Sequence, residues 1–201
     1  MNDAAPWALT SGTRRSIRFG GIELRQFALG PDTDDLYAIR SHESVRTFMT
    51  DPRPLDYTSH VNWVEAHLVP GGDVLLFLIR VDQQPIGLAL LRQIDHETVE
   101  IGVMLRQAHL HGAVAGQVAA VMLHLTFEHF GFSFSLTYAD QTHVRALALN
   151  RGLGLVESPS SKPGEICFRT PSAAVLINPR YRKLMTRLLP RLHITVFEQP
   201  G

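Results

Sequence analysis

At 201 residues, 45% of them hydrophobic, the chain is long enough to bury one core and short for two, so a single globular unit is expected. Its 19 basic side chains balance 19 acidic ones, so no global field points to nucleic acid or an anionic membrane, and neither is expected as a partner. The lone cysteine, Cys167, excludes an intramolecular disulfide, the Met-Asn-Asp-Ala start lacks a leader pattern, and the apolar run Val74–Ile79 falls far short of the roughly 20 residues of a bilayer span, so the expected compartment is the cytoplasm.

Residues 1–20 carry Arg14, Arg15 and Arg18 with no period that would bury a face, which predicts a flexible arm. Ile22–Phe27 alternates apolar and polar side chains as a half-buried strand does. Pro31–Asp35 then offers capping groups to a helix running through Leu36 and Ile39 toward Val45. Asp51-Pro-Arg-Pro54 breaks the chain, and Val61, Val64 and Leu68 recur at helical spacing beside Trp63. Val74–Val81 and Pro85–Leu91 flank a short polar turn and read as an antiparallel hairpin, with a third strand at Val99–Leu105. From Val114 to Phe130, Val118, Val121, Met122, Leu123, Leu125 and Phe127 cover most of a helix circumference, which predicts a central helix. A short strand through Leu136 and Tyr138 follows, then a helix from His143 to Arg151 closed by Gly152 and Gly154, then a strand at Ile166–Arg169.

Three stretches in this order carry a family likeness: "VDQQPIGLALL"; "EIGVML" followed by a long helix and "FEHFGF"; and "THVRALALNRGLGL". Together they resemble the GNAT acyltransferase superfamily from about Ile22 to Thr170. The resemblance implies an α/β (α+β) fold with a central mixed, mostly antiparallel sheet flanked by helices. It also implies transfer of an acetyl or other acyl group from coenzyme A to an amine, by direct attack in a ternary complex and without a metal. The expected organisation is an arm at 1–20, the acyltransferase domain at 21–170, and a basic extension at 171–201 that packs on the domain or at an interface.

"HLHGAVAGQ" opens the central helix. A helix start leaves about four unpaired N–H groups and roughly half a positive charge, and small residues let a phosphate approach them. Here Gly112, Ala113, Ala115 and Gly116 are small and Val114 is the one bulky member. Alternatively, the small residues serve only close packing of the helix on its strand. By resemblance, the loop's usual basic position falls on Leu110, its main glycine on Ala113 and its second small residue on Ala115; a one-residue shift would put His111 in the basic slot and the bulkier Val114 in place of the glycine. The resemblance also implies that Val103, Met104 and Leu105 contact pantetheine, and that His143, Ala146 and Asn150 line the coenzyme from the closing helix.

Acyl transfer needs a base for the amine, donors for a developing oxyanion and a proton for the leaving thiolate. Glu100, at the head of the third strand, is the first candidate for the base, directly or through water, with His96 and Asp95 as alternatives; its other reading is a solvent-facing carboxylate. By the resemblance, backbone N–H groups of Val103 or Met104 would serve the oxyanion. Where relatives place a Tyr as acid this chain has Asn150, which cannot donate a proton at neutral pH. The proton then comes from the amine, from water or from Tyr138.

"IRSHESVRTFMT" and "HVNWVEAHL" are similar to the early helices of two branches, one acetylating nucleotide-linked amino sugars and the other protein N-termini, ribosomal proteins included. By that resemblance Arg46, Met49, His60 and Trp63 line the acceptor side. His109 and His111 have no second Cys or paired carboxylate nearby, so no zinc site is expected. The tail carries Arg180, Arg182, Lys183, Arg187 and Arg191 with no Asp or Glu between Ile166 and Phe197. It reads either as a solvated helix packed through Leu184, Leu188 and Leu189, or as a surface for an anionic partner or a second subunit in a homodimer. Leu110, Ala113 and Asn150 also leave open a degenerate relative that binds acyl-coenzyme A or a protein without turnover.

Overall fold

Nine strands bond into one sheet in the computed structural model, which describes residues 13–49, 52–68, 72–106 and 113–198. They are β1 (Thr13–Phe19), β2 (Ile22–Gln26), β3 (Val74–Val81), β4 (Gln84–Gln93), β5 (Thr98–Leu105), β6 (Phe134–Asp140), β7 (Glu157–Ser158), β8 (Glu165–Pro171) and β9 (His193–Glu198). Side by side they run β7-β8-β6-β5-β4-β3-β2-β1-β9, and every pairing is antiparallel except that of β5 with β6. The sheet is therefore mixed and mostly antiparallel, as expected.

Helices cover both faces. They are α1 (Thr33–Ser41), α2 (Glu43–Arg46), α3 (Tyr57–His67), α4 (Val114–His124), α5 (Val144–Gly152), α6 (Ser172–Leu176) and α7 (Pro179–Leu188). The unbroken apolar run of β3 follows from this double cover. Leu75, Phe77 and Ile79 enter the larger core with α4, while Leu76 and Leu78 enter a second core with Leu36, Ile39, Val45 and Val64. Val118, Val121, Met122 and Leu125 are all enclosed, which makes α4 the central helix its circumference predicted. Past His124 the helix widens by one π turn, where the Phe130 N–H bonds to the Leu125 carbonyl at 2.8 Å.

Residues 13–19 differ from the expected flexible arm. They form β1, held between β2 and β9, with Ile17 and Phe19 fully enclosed. The arginines hid this strand. Arg15 occupies an inward position of the same face, and its guanidinium lies 5.5 Å from the Phe130 ring centroid. On the other face Arg14 reaches the buried Asp32 at 3.4 Å, and Asp32 also accepts the Ala28 N–H at 2.9 Å. The C-terminal residues return as β9 to pair with β1, a partner far away in the chain.

Gly87 sits opposite Leu105 where β4 supports the end of β5. A Cβ there would lie 2.2 Å from the Met104 carbonyl oxygen and 2.6 Å from the Leu105 side chain, so the two strands meet closely only because position 87 has no side chain. Gly87→Ala is expected to destabilise the fold by about 1–3 kcal/mol through overpacking, read as a lowered urea midpoint at unchanged slope. An unshifted midpoint would show that β5 does not depend on this contact.

Candidate active site

Parallel pairing between β5 and β6 is short: Thr98 with Phe134, Val99 with Ser135, Glu100 with Leu136. Beyond that point β5 follows β4 to Leu105, and β6 follows β8 to Asp140. The strands part, and among the described residues no strand bonds to the edge 101–105 on the cleft side. A cavity of about 690 Å³ occupies the gap. Its walls are this β5 edge, Thr137–Asp140 of β6, the first turn of α4, one face of α5 and part of α7.

Small side chains keep the cleft open. Ala113, Ala115, Gly116 and Ala119 line it from α4, and Ala146 from α5. Gly102 belongs to the β5 edge. Continuing the Glu100–Leu136 register by two residues sets Tyr138 across the gap from Gly102, on the same sheet face as Glu100. Tyr138 is 42% exposed in the cavity wall. Partial burial, then the nearby Cys167, Glu100 and Glu165, raise its phenol above the usual tyrosine range, so it stays protonated at neutral pH.

Glu100 stands where the pairing ends. Arg92, directly opposite on β4, donates from Nε to Oε2 at 3.1 Å and from Nη2 to the same oxygen. The carboxylate is thereby oriented, and it borders the cleft at its vertex without lining the cavity. Asn150 is buried in the cavity wall, and its backbone carbonyl accepts the N–H groups of Leu153 and Leu155 at 3.1 and 3.0 Å.

His143 precedes α5, and its imidazole lies flat against Phe48, centroids 4.0 Å apart and planes 10° from parallel. Burial holds its pKa below the usual histidine range, opposed by Asp140 and reinforced by Arg145. At neutral pH the ring is uncharged.

The cavity thus gathers Val103, Met104, Leu105, Ala113, Ala115, Gly116, Tyr138, His143, Ala146 and Asn150 of the residues expected from sequence. Leu110, His111 and Gly112 lie outside the described residues. Val114, expected to take part through its backbone N–H, packs its side chain against the larger core.

The acceptor-side set needs correcting too. His60 is fully enclosed, with Nε2 bonded to the Thr33 carbonyl at 3.2 Å and Nδ1 facing Arg40 Nη1 at 3.1 Å. Both ring nitrogens are engaged, so it ties α3 to α1 and has no free group for an acceptor. Arg46 donates to the Pro52 carbonyl, while Met49 and Trp63 pack against the second core, Trp63 beneath Arg40 at 4.1 Å. None of the four lines the cavity.

Sequence reasoning missed Phe48 and Arg145, which line it, and it singled out Arg180, Lys183 and Arg187 as a basic surface of the tail without placing them in this wall. The spacing 180, 183, 187 marks one helix face and could have been read; which way that face points could not.

Among the described residues no three His, Cys, Asp or Glu side chains gather as metal ligands, and no helix is long and apolar enough to cross a membrane.

Comparison with known proteins fits this geometry. The family profile described as an acetyltransferase (GNAT) domain matches residues 22–156. No curated protein matches the sequence. Spermidine N-acetyltransferase from Vibrio cholerae, in complex with CoA and spermine, superposes with a TM-score of 0.65 at 15% identity, over 78% of this chain and 98% of that one. RimJ of Mycobacterium smegmatis, in complex with CoA-disulfide, gives 0.69 at 16% identity over 94% and 98%. A GCN5-related N-acetyltransferase from Brucella melitensis gives 0.68 at 14% over 89% and 90%. At these identities the structures share the fold. With more than half of its residues inside the matched domain, the chain belongs to the GNAT acetyltransferase family, enzymes that transfer an acyl group from coenzyme A to an amine.

Proposed function

We propose that the splayed cleft takes the pantetheine arm of an acyl-coenzyme A along the β5 edge, and that the acceptor is a single primary amine presented from the α1–α3 side. The observation that carries this reading is the end of β5–β6 pairing after Glu100, which leaves a line of backbone groups from Ile101 to Leu105 facing an apolar-walled gap. Unpaired backbone groups at such an edge need partners, and an amide-bearing chain supplies them. The residues present suit the coenzyme: a bare strand edge, a helix start with small side chains, and cations in the wall.

When bound, the coenzyme supplies an acyl thioester, whose carbonyl oxygen gains negative charge as an amine attacks. N–H groups of Val103 or Met104 donate to that oxygen from a fixed edge. Glu100, held by Arg92 through Oε2, has Oε1 left to accept a proton from the amine, directly or through one water. Tyr138, kept protonated, donates toward the departing sulfur. Asn150 holds the end of α5 and contributes polarity to the wall without a transferable proton.

The early segments "IRSHESVRTFMT" and "HVNWVEAHL" are similar to those of branches that acetylate protein N-termini and nucleotide-linked amino sugars, which favours an acceptor of that kind over a polyamine such as the spermine bound in the Vibrio structure.

Thiol release from acetyl-coenzyme A over a panel of amines tests the acceptor class. Turnover with an amino-terminal peptide or a nucleotide-linked amino sugar, and little with spermine, is expected; turnover confined to spermine would overturn this choice, and coenzyme binding without turnover on any amine would mark a binder. Glu100→Gln and Tyr138→Phe should each lower kcat/KM by about a hundredfold, in the range for a positioned acid or base. The raised Tyr138 phenol also fixes a sign with pH. An acid whose pKa lies above the ordinary tyrosine value of about 10 stays protonated until pH exceeds it, so the wild type should keep its rate up to about pH 10. A fall centred near pH 8 would remove Tyr138 from the role.

A further inference from the structure

The C-terminal helix α7 lies beyond the matched family domain, yet it forms part of the cavity wall. Its two sides are chemically distinct. Tyr181, Met185 and Leu188 are buried, and α7 packs on α4; Arg180, Lys183 and Arg187 are exposed and line the cavity. The inward apolar face therefore orients the cationic one.

The start of α7 is fixed against the end of α5. Asn178 caps it, accepting the N–H groups of Arg180 and Tyr181, both at 3.0 Å. Gly154 adopts φ +87°, and a Cβ there would lie 2.8 Å from Asn178 Nδ2. A Cβ on Gly152 would lie 2.2 Å from Arg180 Nη1. The two glycines that close α5 are thus the seats of the α7 cap and of its first cation.

These cations have no acidic counterpart in the tail, since no Asp or Glu falls between Ile166 and Phe197. Among the described residues, none of Arg145, Arg180, Lys183 and Arg187 makes an ion pair. In a chain of zero net charge, four cations against the single carboxylate of Asp140 in one cavity wall form a local anion trap. They share that wall with the small residues at the start of α4, where the expected loop cation is replaced by Leu110.

We propose that the cationic face of α7, joined by Arg145 of α5, anchors the phosphates of the coenzyme's nucleotide end. It supplies, from outside the family domain, the positive charge that the α4 loop sequence lacks. The inference rests on the coenzyme site proposed above. It makes the C-terminal helix a determinant of coenzyme affinity, and specifically of the phosphorylated end of the ligand.

The test is calorimetric binding to the full chain of coenzyme A, dephospho-coenzyme A and pantetheine, comparing wild type with the double variant Lys183→Gln/Arg187→Gln. Coenzyme A should bind the variant about tenfold more weakly, with a flatter dependence on salt, while pantetheine binds both proteins equally. Equal affinity of wild type and variant for coenzyme A overturns the anchor and leaves the coenzyme site standing. If the wild type binds neither coenzyme A nor pantetheine at millimolar concentration, the coenzyme site itself fails and the anchor with it. Loss of binding only toward a nucleotide-linked acceptor would assign the cations to the acceptor and overturn the proposal. Both substituted side chains are exposed, so the melting temperature should match the wild type, and Lys183→Arg should bind coenzyme A as the wild type does.

Discussion

Everything at the site depends on where β5 and β6 stop pairing. Three residue pairs join the two strands, and beyond Glu100 each keeps only its outer neighbour. An unpaired strand edge inside a sheet is ordinarily costly, because buried N–H and C=O groups need partners. Here Val118, Val121 and Met122 of α4 share one core with Val99 and Ile101 of β5, Ala139 of β6, and Leu147, Leu153 and Leu155. The cost is acceptable where the edge is reserved for a ligand's own amide and carbonyl groups.

The split sets the division of the chemistry. Glu100, Gly102 and Met104 share one face of β5, toward α1–α3, and Met104 packs there against Leu88 and Leu90. Val99, Ile101 and Val103 point to the other face, toward α4. Glu100 and Tyr138, the groups proposed for proton transfer, therefore lie on the face proposed for the acceptor, while the proposed path of the coenzyme follows the edge between the faces. The mainly apolar wall includes a protonated Tyr138 and a neutral His143, and its fixed positive charge comes from α5 and α7. Phe48 on His143 joins the turn after α2 to the start of α5 across this wall.

Local signals in the sequence were sufficient wherever structure is set locally. The β3–β4 hairpin announced itself through Asp82 and Gln83, which adopt φ +49° and +64° in the turn, values that polar residues tolerate best. The all-round apolar surface of α4 likewise required a central position. β1 was lost because its inward face includes Arg15 and its second partner, β9, lies at the other end of the chain. His60 was misjudged because a histidine in a helix looks the same whether it meets solvent, substrate or a carbonyl such as that of Thr33. For α7 the period was visible, but only tertiary packing of Tyr181, Met185 and Leu188 decides what the opposite face sees. Composition carried the total charge, zero, and gave no hint that four of its cations share a cavity.

The most direct measurement on the splayed cleft is backbone hydrogen–deuterium exchange with and without acetyl-coenzyme A. If the free β5 edge receives the coenzyme, Ile101–Leu105 and the first turn of α4 gain protection on binding, and the far side of the sheet, β2 and β3, does not change. Protection confined to other elements, or none at a saturating concentration of ligand, would contradict the account.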